Sequence, residues 1–277
     1  MALDHIRIVL VEPAGPLNVG SVARVMKNMG LSQLVLVNPH CDPNAAAAQQ
    51  MAVHGQDVLT AARRVDSLPQ ALQGCRRTIA TTARPRSLDS PLETPEIALP
   101  WLLAPEAAAV ALIFGPEDRG LNNIELNYAQ RLVRIPANPD YPSLNLAQAV
   151  AVCSYLLSRL DQSQATTAAS AAEAMVPGQS SALREAAPAM APHETTIAPD
   201  SARAAIDQID GFYSDLEALL LKIGYLYPHT ANSRMQKLRR LMYRTAPTSQ
   251  ELAMLRGIIR QVEWALAASD PNTLPSP

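Results

Sequence analysis

The chain has 277 residues, of which 48% are hydrophobic and 17% charged, and its formal net charge is −2. This apolar share can form a core, so the composition excludes a chain that is disordered throughout. No apolar run reaches the roughly 20 residues that a membrane helix needs, and the N-terminus lacks a cleavable signal pattern. Three scattered cysteines without a CxxC pair favour neither a disulfide framework nor a zinc ribbon. We therefore expect a cytoplasmic protein with no membrane partner.

In chain order, the first 160 residues alternate strand and helix patterns. Apolar, β-branched runs predict five strands: Ile6–Glu12, Leu34–Val37, Thr78–Thr81, Val110–Phe114 and Leu132–Ile135. Helical spacing lies between and after them: Val19–Met29, Asn44–Ala52, Gln56–Arg64, Pro69–Leu72, Ile97–Leu103, Asn122–Tyr128 and Leu144–Leu160. Nearly continuous apolar strands that alternate with helices indicate an α/β domain over residues 1–160, with a mostly parallel sheet and helices on both faces.

The rest of the chain divides by composition. Residues 161–200 contain 12 alanines, many Pro, Ser and Thr, and no aromatic residue, so they bury too little apolar surface to order and predict a flexible linker. Residues 201–268 predict a small helical extension. Its first apolar stripe runs from Ile206 to Ile223, and a capping box at Thr248 and Glu251 opens its last helix. Residues 269–277 form a tail.

Positive charge is concentrated in that extension. Residues 1–160 carry thirteen basic and thirteen acidic residues, whereas residues 201–268 carry nine and six. Between the two helices, Asn232–Arg244 has an apolar side and a basic side. This segment therefore predicts a surface that can contact phosphates, although a solvated face of an amphipathic helix has the same pattern.

Three loops follow the predicted strands, where an open α/β sheet binds its ligands. They are residues 12–20, 115–121 and 136–145, and four of the eleven glycines lie in the first two: Gly15, Gly20, Gly115 and Gly120. Glycine permits a close approach of backbone to ligand. The missing GxGxxG and GxxxxGK[ST] patterns disfavour a Rossmann dehydrogenase and a P-loop hydrolase. Five scattered histidines form no helical pair that could bind a metal.

The same loops resemble a known family. Motifs one, two and three of the SPOUT-class RNA ribose 2′-O-methyltransferases are similar to IRIVLVEPAGPLNVGSVARVMKNMGLSQLVLVNP, ALIFGPEDRGL and IPANPDYPSLNLAQAVAV. The similarity covers about residues 5–160. The helices with LLLKIGYLYPHTANSRMQKLRRLMYR and ELAMLRGIIRQVEWAL resemble the extension of the family's tRNA enzyme for nucleotide 32 of the anticodon loop. The minimal relative for the wobble nucleotide lacks this extension.

The resemblance implies more than the patterns do. It implies a trefoil knot near the C-terminal end of the sheet domain, which is a rare exception to the rule against threaded chains. It implies S-adenosylmethionine as the methyl donor without a metal, tRNA as the substrate, and a homodimer whose subunits share the active site.

The resemblance also implies catalytic residues. Arg24 is placed at the target ribose, and because arginine stays protonated we favour a cation that stabilises the developing alkoxide over a general base. Asn18, Ser143 and Asn145 match motif positions, but each also suits a helix N-cap. Glu12 ends a buried strand and is expected to pair with Arg24.

For the donor, the family's contacts map mostly onto backbone positions: Thr81, Thr82, Ala83, Gly115, Ile135, Pro142, Ser143 and Leu144. At Gly115 a side chain is expected to block the adenosine. Core packing is the alternative for Ile135, and Pro142 replaces a serine that is common at this position.

For RNA, the predicted contacts are basic: Arg84, Arg86, Arg119, Arg234, Lys237, Arg239, Arg240 and Arg244. Contacts of this kind position phosphates and do not read sequence. For Arg119, a surface pair with Glu117 is the alternative.

Three other functions remain open at this point. The same reaction on the wobble nucleotide or on ribosomal RNA is disfavoured by the extension. A non-catalytic RNA-binding protein of this fold is disfavoured by the intact Arg24, Ser143 and Asn145. A small-molecule nucleotide-binding protein is disfavoured by the basic C-terminal helix.

Overall fold

The computed structural model describes residues 3–83, 91–104, 109–173 and 203–268. Arg84, Arg86, residues 174–202 and the tail lie outside these ranges. The side chains of residues 165–173 and of Arg244 are likewise outside the description. Among the described helices, none has the length and apolar character to cross a membrane.

The core of the described chain is one seven-stranded sheet in which every pairing is parallel. Its strands are β1 (Ile6–Val11), β2 (Gln33–Val37), β3 (Arg63–Val65), β4 (Arg77–Thr81), β5 (Leu92–Glu93), β6 (Val110–Phe114) and β7 (Arg131–Val133). The order β3-β2-β1-β6-β4-β7-β5 sets β1, β6, β4 and β7 side by side. The predicted α/β class with a parallel sheet is confirmed. The trefoil knot stays a prediction.

Ten α-helices are described. They are α1 (Pro16–Asn28), α2 (Ala46–Ala52), α3 (Gln56–Thr60), α4 (Leu68–Leu72), α5 (Pro95–Ala98), α6 (Asn123–Leu126), α7 (Leu146–Glu173), α8 (Ile206–Lys222), α9 (Pro228–Thr245) and α10 (Ser249–Ala268). The helix predicted over Ile97–Leu103 is instead the end of α5 followed by a 3-10 turn at Leu99–Leu103. The predicted capping box is present, since the Thr248 hydroxyl accepts from the Glu251 amide and the Glu251 carboxylate accepts from the Thr248 amide.

Some boundaries differ from the sequence prediction. Residues 63 and 64, predicted as helix, belong to β3 because they pair with the edge of β2. The two-residue β5 is also unpredicted, since so short a strand has no period of its own. Helix α7 begins at Leu146 and continues to Glu173, into the predicted linker, because its alanines favour helix.

The two sheet faces bury alternate residues, as the pleat requires. On one face, Ile8 and Leu10 pack with Val22 of α1 and with α7. On the other, Val9 and Val11 share a core with α4 and the helical extension. The extension therefore covers one face of the sheet of the same chain. Its first turn is also fixed by hydrogen bonds, from the Ile206 amide to the Cys75 carbonyl (3.1 Å) and from the Gly74 amide to the Asp207 carboxylate (3.0 Å).

The three cysteines are free. Burial raises the pKa of the Cys75 thiol to about 11 and that of the Cys153 thiol to about 12. Both thiols are therefore protonated and unreactive near neutral pH.

Candidate active site

A cleft opens beyond the carboxyl ends of the adjacent strands β6, β4 and β7. The cleft and the open solvent at its mouth together occupy about 780 Å³. All eight predicted donor-binding residues line it: Thr81, Thr82, Ala83, Gly115, Ile135, Pro142, Ser143 and Leu144. The second and third predicted loops therefore meet at one place, although they are separate in the sequence.

Hydrogen bonds to backbone carbonyls hold the rim of this cleft. The Thr82 amide donates to the Val133 carbonyl at 2.9 Å, and the Thr81 hydroxyl donates to the Ile113 carbonyl at 3.1 Å. At Gly115 the structure adds a second reason for glycine, beside the predicted contact with the donor. A Cβ there would overlap the backbone of Gly120 and Leu121, so the glycine is required by the turn itself. Gly20, which was predicted to lie in the first loop, instead lies in α1. A Cβ there would overlap the Ala48 backbone of α2.

Glu117 joins the second loop to the first. Its carboxylate accepts hydrogen bonds from the Ala14 amide (3.0 Å), the Gly15 amide (3.3 Å) and the Asn18 side-chain amide (2.8 Å). Burial raises the pKa of the Glu117 carboxyl, but these donors outweigh it, so its pKa lies below the usual value. An anion at the start of α1 also complements the helix dipole. The sequence analysis did not include Glu117 among the catalytic or donor residues. Its signal in the sequence was an acidic pair, Glu117 and Asp118, two residues after Gly115.

Asn18 and Asn145 extend this connection to the third loop. The Asn145 side-chain amide donates to the Asn18 side-chain oxygen at 3.0 Å. The N-cap alternative is wrong for Asn18, which lies inside the first turn of α1, whose N-cap is Gly15. Helix α7 is capped by Asn145, whose side-chain oxygen accepts from the Ala147 amide at 2.9 Å, and not by Ser143. The chain Glu117–Asn18–Asn145 thus ties the three loops together. We call it the loop network.

Ser143 and Arg24 have side chains left for a ligand. Ser143 is exposed at the cleft and has no hydrogen-bond partner among the described residues. Arg24 is exposed on α1, likewise without an ion pair in the described part of the chain, and it does not line the cleft. The structure therefore does not bring Arg24 together with the donor residues of the same chain.

A second ionic cluster supports the cleft. Arg119 pairs with the Glu12 carboxylate at 2.6 Å and with Glu125 at 3.0 Å. The hydrogen bond from Arg119 lowers the pKa of Glu12, and the bond to Glu125 raises the pKa of Arg119. The predicted pair of Glu12 with Arg24 is therefore wrong. The alternative for Arg119, a surface pair with Glu117, is also wrong, because Arg119 pairs with Glu12 and Glu125. Glu12 has a φ of +47°, a strained value for a residue with a side chain.

The basic residues of α9 divide into two groups. Arg234 and Lys237 are exposed, and Arg240 is half-buried. Arg239 instead lies between α9 and the sheet domain, 5.1 Å from the Tyr128 ring and 5.2 Å from the Tyr213 ring, and 3.5 Å from an Asp210 oxygen. These contacts set Arg239 apart from the predicted phosphate surface.

Comparisons with known proteins agree with this geometry. The SpoU rRNA Methylase family matches residues 5–155, and the C-terminal domain of the tRNA methyltransferase TrmJ matches residues 207–272. The fold and its cleft are thus those of a SpoU-type methylase.

Relatives that match over nearly their full length identify the group within the SpoU methylase family. The tRNA (cytidine/uridine-2'-O-)-methyltransferase TrmJ of Pectobacterium atrosepticum is 42% identical, over 94% of this chain and 98% of its own. The tRNA (cytidine/uridine/adenosine-2'-O-)-methyltransferase TrmJ of Pseudomonas aeruginosa is 39% identical, over 94% and 95%. The crystal structure of TrmJ from Z. mobilis superposes with a TM-score of 0.74 at 29% identity, covering 93% of this chain and 98% of that one. The chain belongs to the SpoU methylase family and, within it, to the TrmJ methyltransferases.

Proposed function

We propose that the protein transfers a methyl group from S-adenosylmethionine to the ribose 2′-hydroxyl of nucleotide 32, a cytidine or uridine, in the anticodon loop of tRNA. The observation that carries this proposal is the convergence of all eight donor positions on one cleft, joined to Asn18 and Asn145 by the loop network. The names of the full-length relatives support tRNA as substrate and the ribose 2′-oxygen as acceptor. A cytoplasmic location follows from that substrate.

The cleft fits the donor by its chemistry. Apolar side chains on its walls, Phe114, Ile135 and Leu144, suit a flat base. The Glu117 and Asp118 carboxylates at its edge favour a cationic sulfur. When bound, S-adenosylmethionine supplies an electrophilic methyl carbon whose bond to sulfur breaks as the oxygen–carbon bond forms. The turns at Thr82 and Gly115 would hold its nucleoside part.

The protein's own residues act on the ribose. The hydroxyl releases its proton to solvent water as its oxygen attacks the methyl carbon, and the guanidinium cation of Arg24 stabilises the negative charge that develops on the oxygen. Ser143 would hydrogen-bond the ribose or the donor, since its hydroxyl is exposed in the cleft. The loop network fixes Asn18 and Asn145 at the N-terminal ends of α1 and α7, and alignment of this kind supplies much of the rate.

Because Arg24 does not line its own cleft, we assign it to the cleft of a second subunit in a homodimer. Mixed subunits test this assignment. Arg24→Ala and a cleft-filling Ser143→Trp should each be inactive alone. Co-refolded together, they should regain activity, because one mixed site combines an open cleft with an intact Arg24. Continued inactivity of the mixture would place Arg24 in the site of its own chain.

The reaction itself is tested with tritiated S-adenosylmethionine and bulk tRNA, followed by nuclease mapping of the labelled ribose. Label at nucleotide 32 is expected. Label at the wobble nucleotide, or in ribosomal RNA alone, would show that the proposed substrate is wrong and that the proposed reaction is right. Donor binding without transfer to any RNA would favour a non-catalytic RNA-binding protein.

A further inference from the structure

An exposed aromatic and basic cluster lies at the turn between α8 and α9. Tyr225 and Tyr227 are 58% and 56% exposed, while Leu226 between them is 2% exposed and anchors the turn in the core. His229 and Arg234 are also exposed. We call these four residues, Tyr225, Tyr227, His229 and Arg234, the turn cluster. Its two tyrosines face solvent although aromatic side chains are few in this chain, at 4% of residues.

The turn cluster is ordered by its own contacts. The Tyr227 and His229 rings are stacked, with centroids 5.9 Å apart and planes inclined by 23°. The Arg234 guanidinium donates to the Tyr225 carbonyl at 3.2 Å and lies 5.9 Å from the Tyr225 ring centroid. Each ring therefore has a defined direction before any ligand binds, which lowers the entropic cost of binding.

The sequence around the turn is positively charged, which favours a ligand that carries phosphates. No acidic residue occurs in the sequence between Glu217 and Glu251, whereas six basic residues do. Exposed aromatic faces beside cations are the combination that binds single-stranded nucleic acid, because bases stack on the rings while phosphates meet the cations. A duplex keeps its base faces stacked internally, and an apolar protein partner gains nothing from the basic flank.

From this arrangement we infer that the turn cluster is a stacking site for an unpaired nucleobase of the RNA substrate, with Tyr227 and His229 as the platform and Arg234 and Lys237 at the adjoining phosphates. The inference rests on the proposed tRNA substrate and adds a second contact, distinct from the methyl-transfer cleft. An unpaired base of the anticodon loop has the required chemistry.

Binding of an anticodon stem-loop RNA tests the inference, measured by fluorescence anisotropy against a blunt duplex of the same stem. Tyr227→Ala should weaken stem-loop binding at least about fivefold, the lower end of what stacking on one ring contributes. Its duplex affinity and salt dependence should be unchanged. Tyr227→Phe, which keeps the ring, should bind within about twofold of wild type by the same reasoning. The matched control is Trp264→Ala, which removes an exposed ring elsewhere (66% exposed) and should have no effect.

Three outcomes would overturn the inference: stem-loop binding by Tyr227→Ala equal to wild type, an equal loss for the duplex, or a Phe variant as weak as the Ala variant. Wild-type protein gives an independent measurement. Stem-loops with 5-iodouridine at single loop positions should photo-crosslink to the peptide containing Tyr225 and Tyr227, and crosslinks confined to other peptides would contradict the site. These measurements concern binding alone. Failure of methyl transfer would overturn the proposed function without deciding the stacking site.

Discussion

The cleft region and the helical extension use charged side chains in opposite ways. Around the cleft, the Glu117 and Glu12 carboxylates join loops that are distant in sequence, and Arg24 is left exposed. In the extension, Arg239 is enclosed by aromatic rings at the contact with the sheet domain, and the exposed cations lie further around α9. An arginine in a basic sequence is therefore structural or functional according to the surface it meets.

Because the extension packs against the sheet, its role in RNA binding is better tested by single substitutions than by deletion. Ile206, Phe212 and Tyr213 share a buried cluster with Val9 and Val35 of the sheet. Deleting residues 161–277 would expose that sheet face to water, and the loss of folding would obscure any loss of RNA binding. Single substitutions separate the two effects.

Arg24→Ala should have the largest effect. We expect turnover to fall about 100- to 1000-fold, the usual result of removing one group that stabilises transition-state charge. Donor affinity should change less than about twofold, because Arg24 is assigned to the negative charge that develops on the ribose oxygen and not to the donor. Single-turnover kinetics and equilibrium donor binding measure the two quantities. Lys27→Ala, on the same helix and paired with Asp57, is the control and should keep its activity. Near-normal turnover of Arg24→Ala would remove this residue from the mechanism.

Two glycine substitutions compare the packing of the two regions. Gly115→Ala should lower the free energy of unfolding by about 1–3 kcal/mol or more, because the new Cβ meets the Gly120–Leu121 backbone. Gly257→Ala, inside α10 with no atom within 4 Å of its added Cβ, should raise it by about 0.5–1 kcal/mol. Urea denaturation measures both. A neutral Gly115→Ala would mean that the motif-two turn relaxes readily.

Arg239→Met sharpens the comparison between the two groups of cations. It should lower the free energy of unfolding by about 1–3 kcal/mol, because Asp210 loses its cation and two rings lose theirs. The salt dependence of tRNA binding should be unchanged. Lys237→Gln should do the reverse, leaving stability unaltered and reducing the slope of log affinity against log salt by about 0.7–0.9. A reduced slope for Arg239→Met would mean that Arg239 contacts RNA phosphates, as the sequence predicted.

Glu117→Gln should lower the free energy of unfolding by only about 1 kcal/mol at neutral pH, since the amide oxygen still accepts a hydrogen bond. The pKa of Glu117 lies below its usual 4.5 in the folded protein, so the carboxylate stabilises the fold above that value. Its contribution disappears as the pH falls through the folded pKa. Unfolding measured from pH 7 to pH 3 should therefore show wild type and variant converging in acid. If the difference in the free energy of unfolding between wild type and variant stayed constant over this pH range, the Glu117 charge would not be what stabilises the fold.

Local patterns determined much of this protein. Hydrophobic runs and helical periods predicted five of the seven strands and the three extension helices, because burial on a sheet or a helix face imposes a period on the sequence. The Thr248 capping box was also readable, since both partners lie within one turn. The resemblance to motifs, and not periodicity, indicated the donor positions that the cleft then brought together.

The tertiary structure decided the partners of the charged and small residues. Glu12 meets Arg119, 107 positions away, where the sequence suggested Arg24, and Glu117 meets Asn18 from 99 positions away. Gly115 is required by close contact with the Gly120–Leu121 backbone of its own turn, and Arg239 by the contact of α9 with Tyr128. A hydrophobic period reports only that a face is buried. Which polar groups meet across the molecule depends on distances that arise after the sheet and its helices have packed.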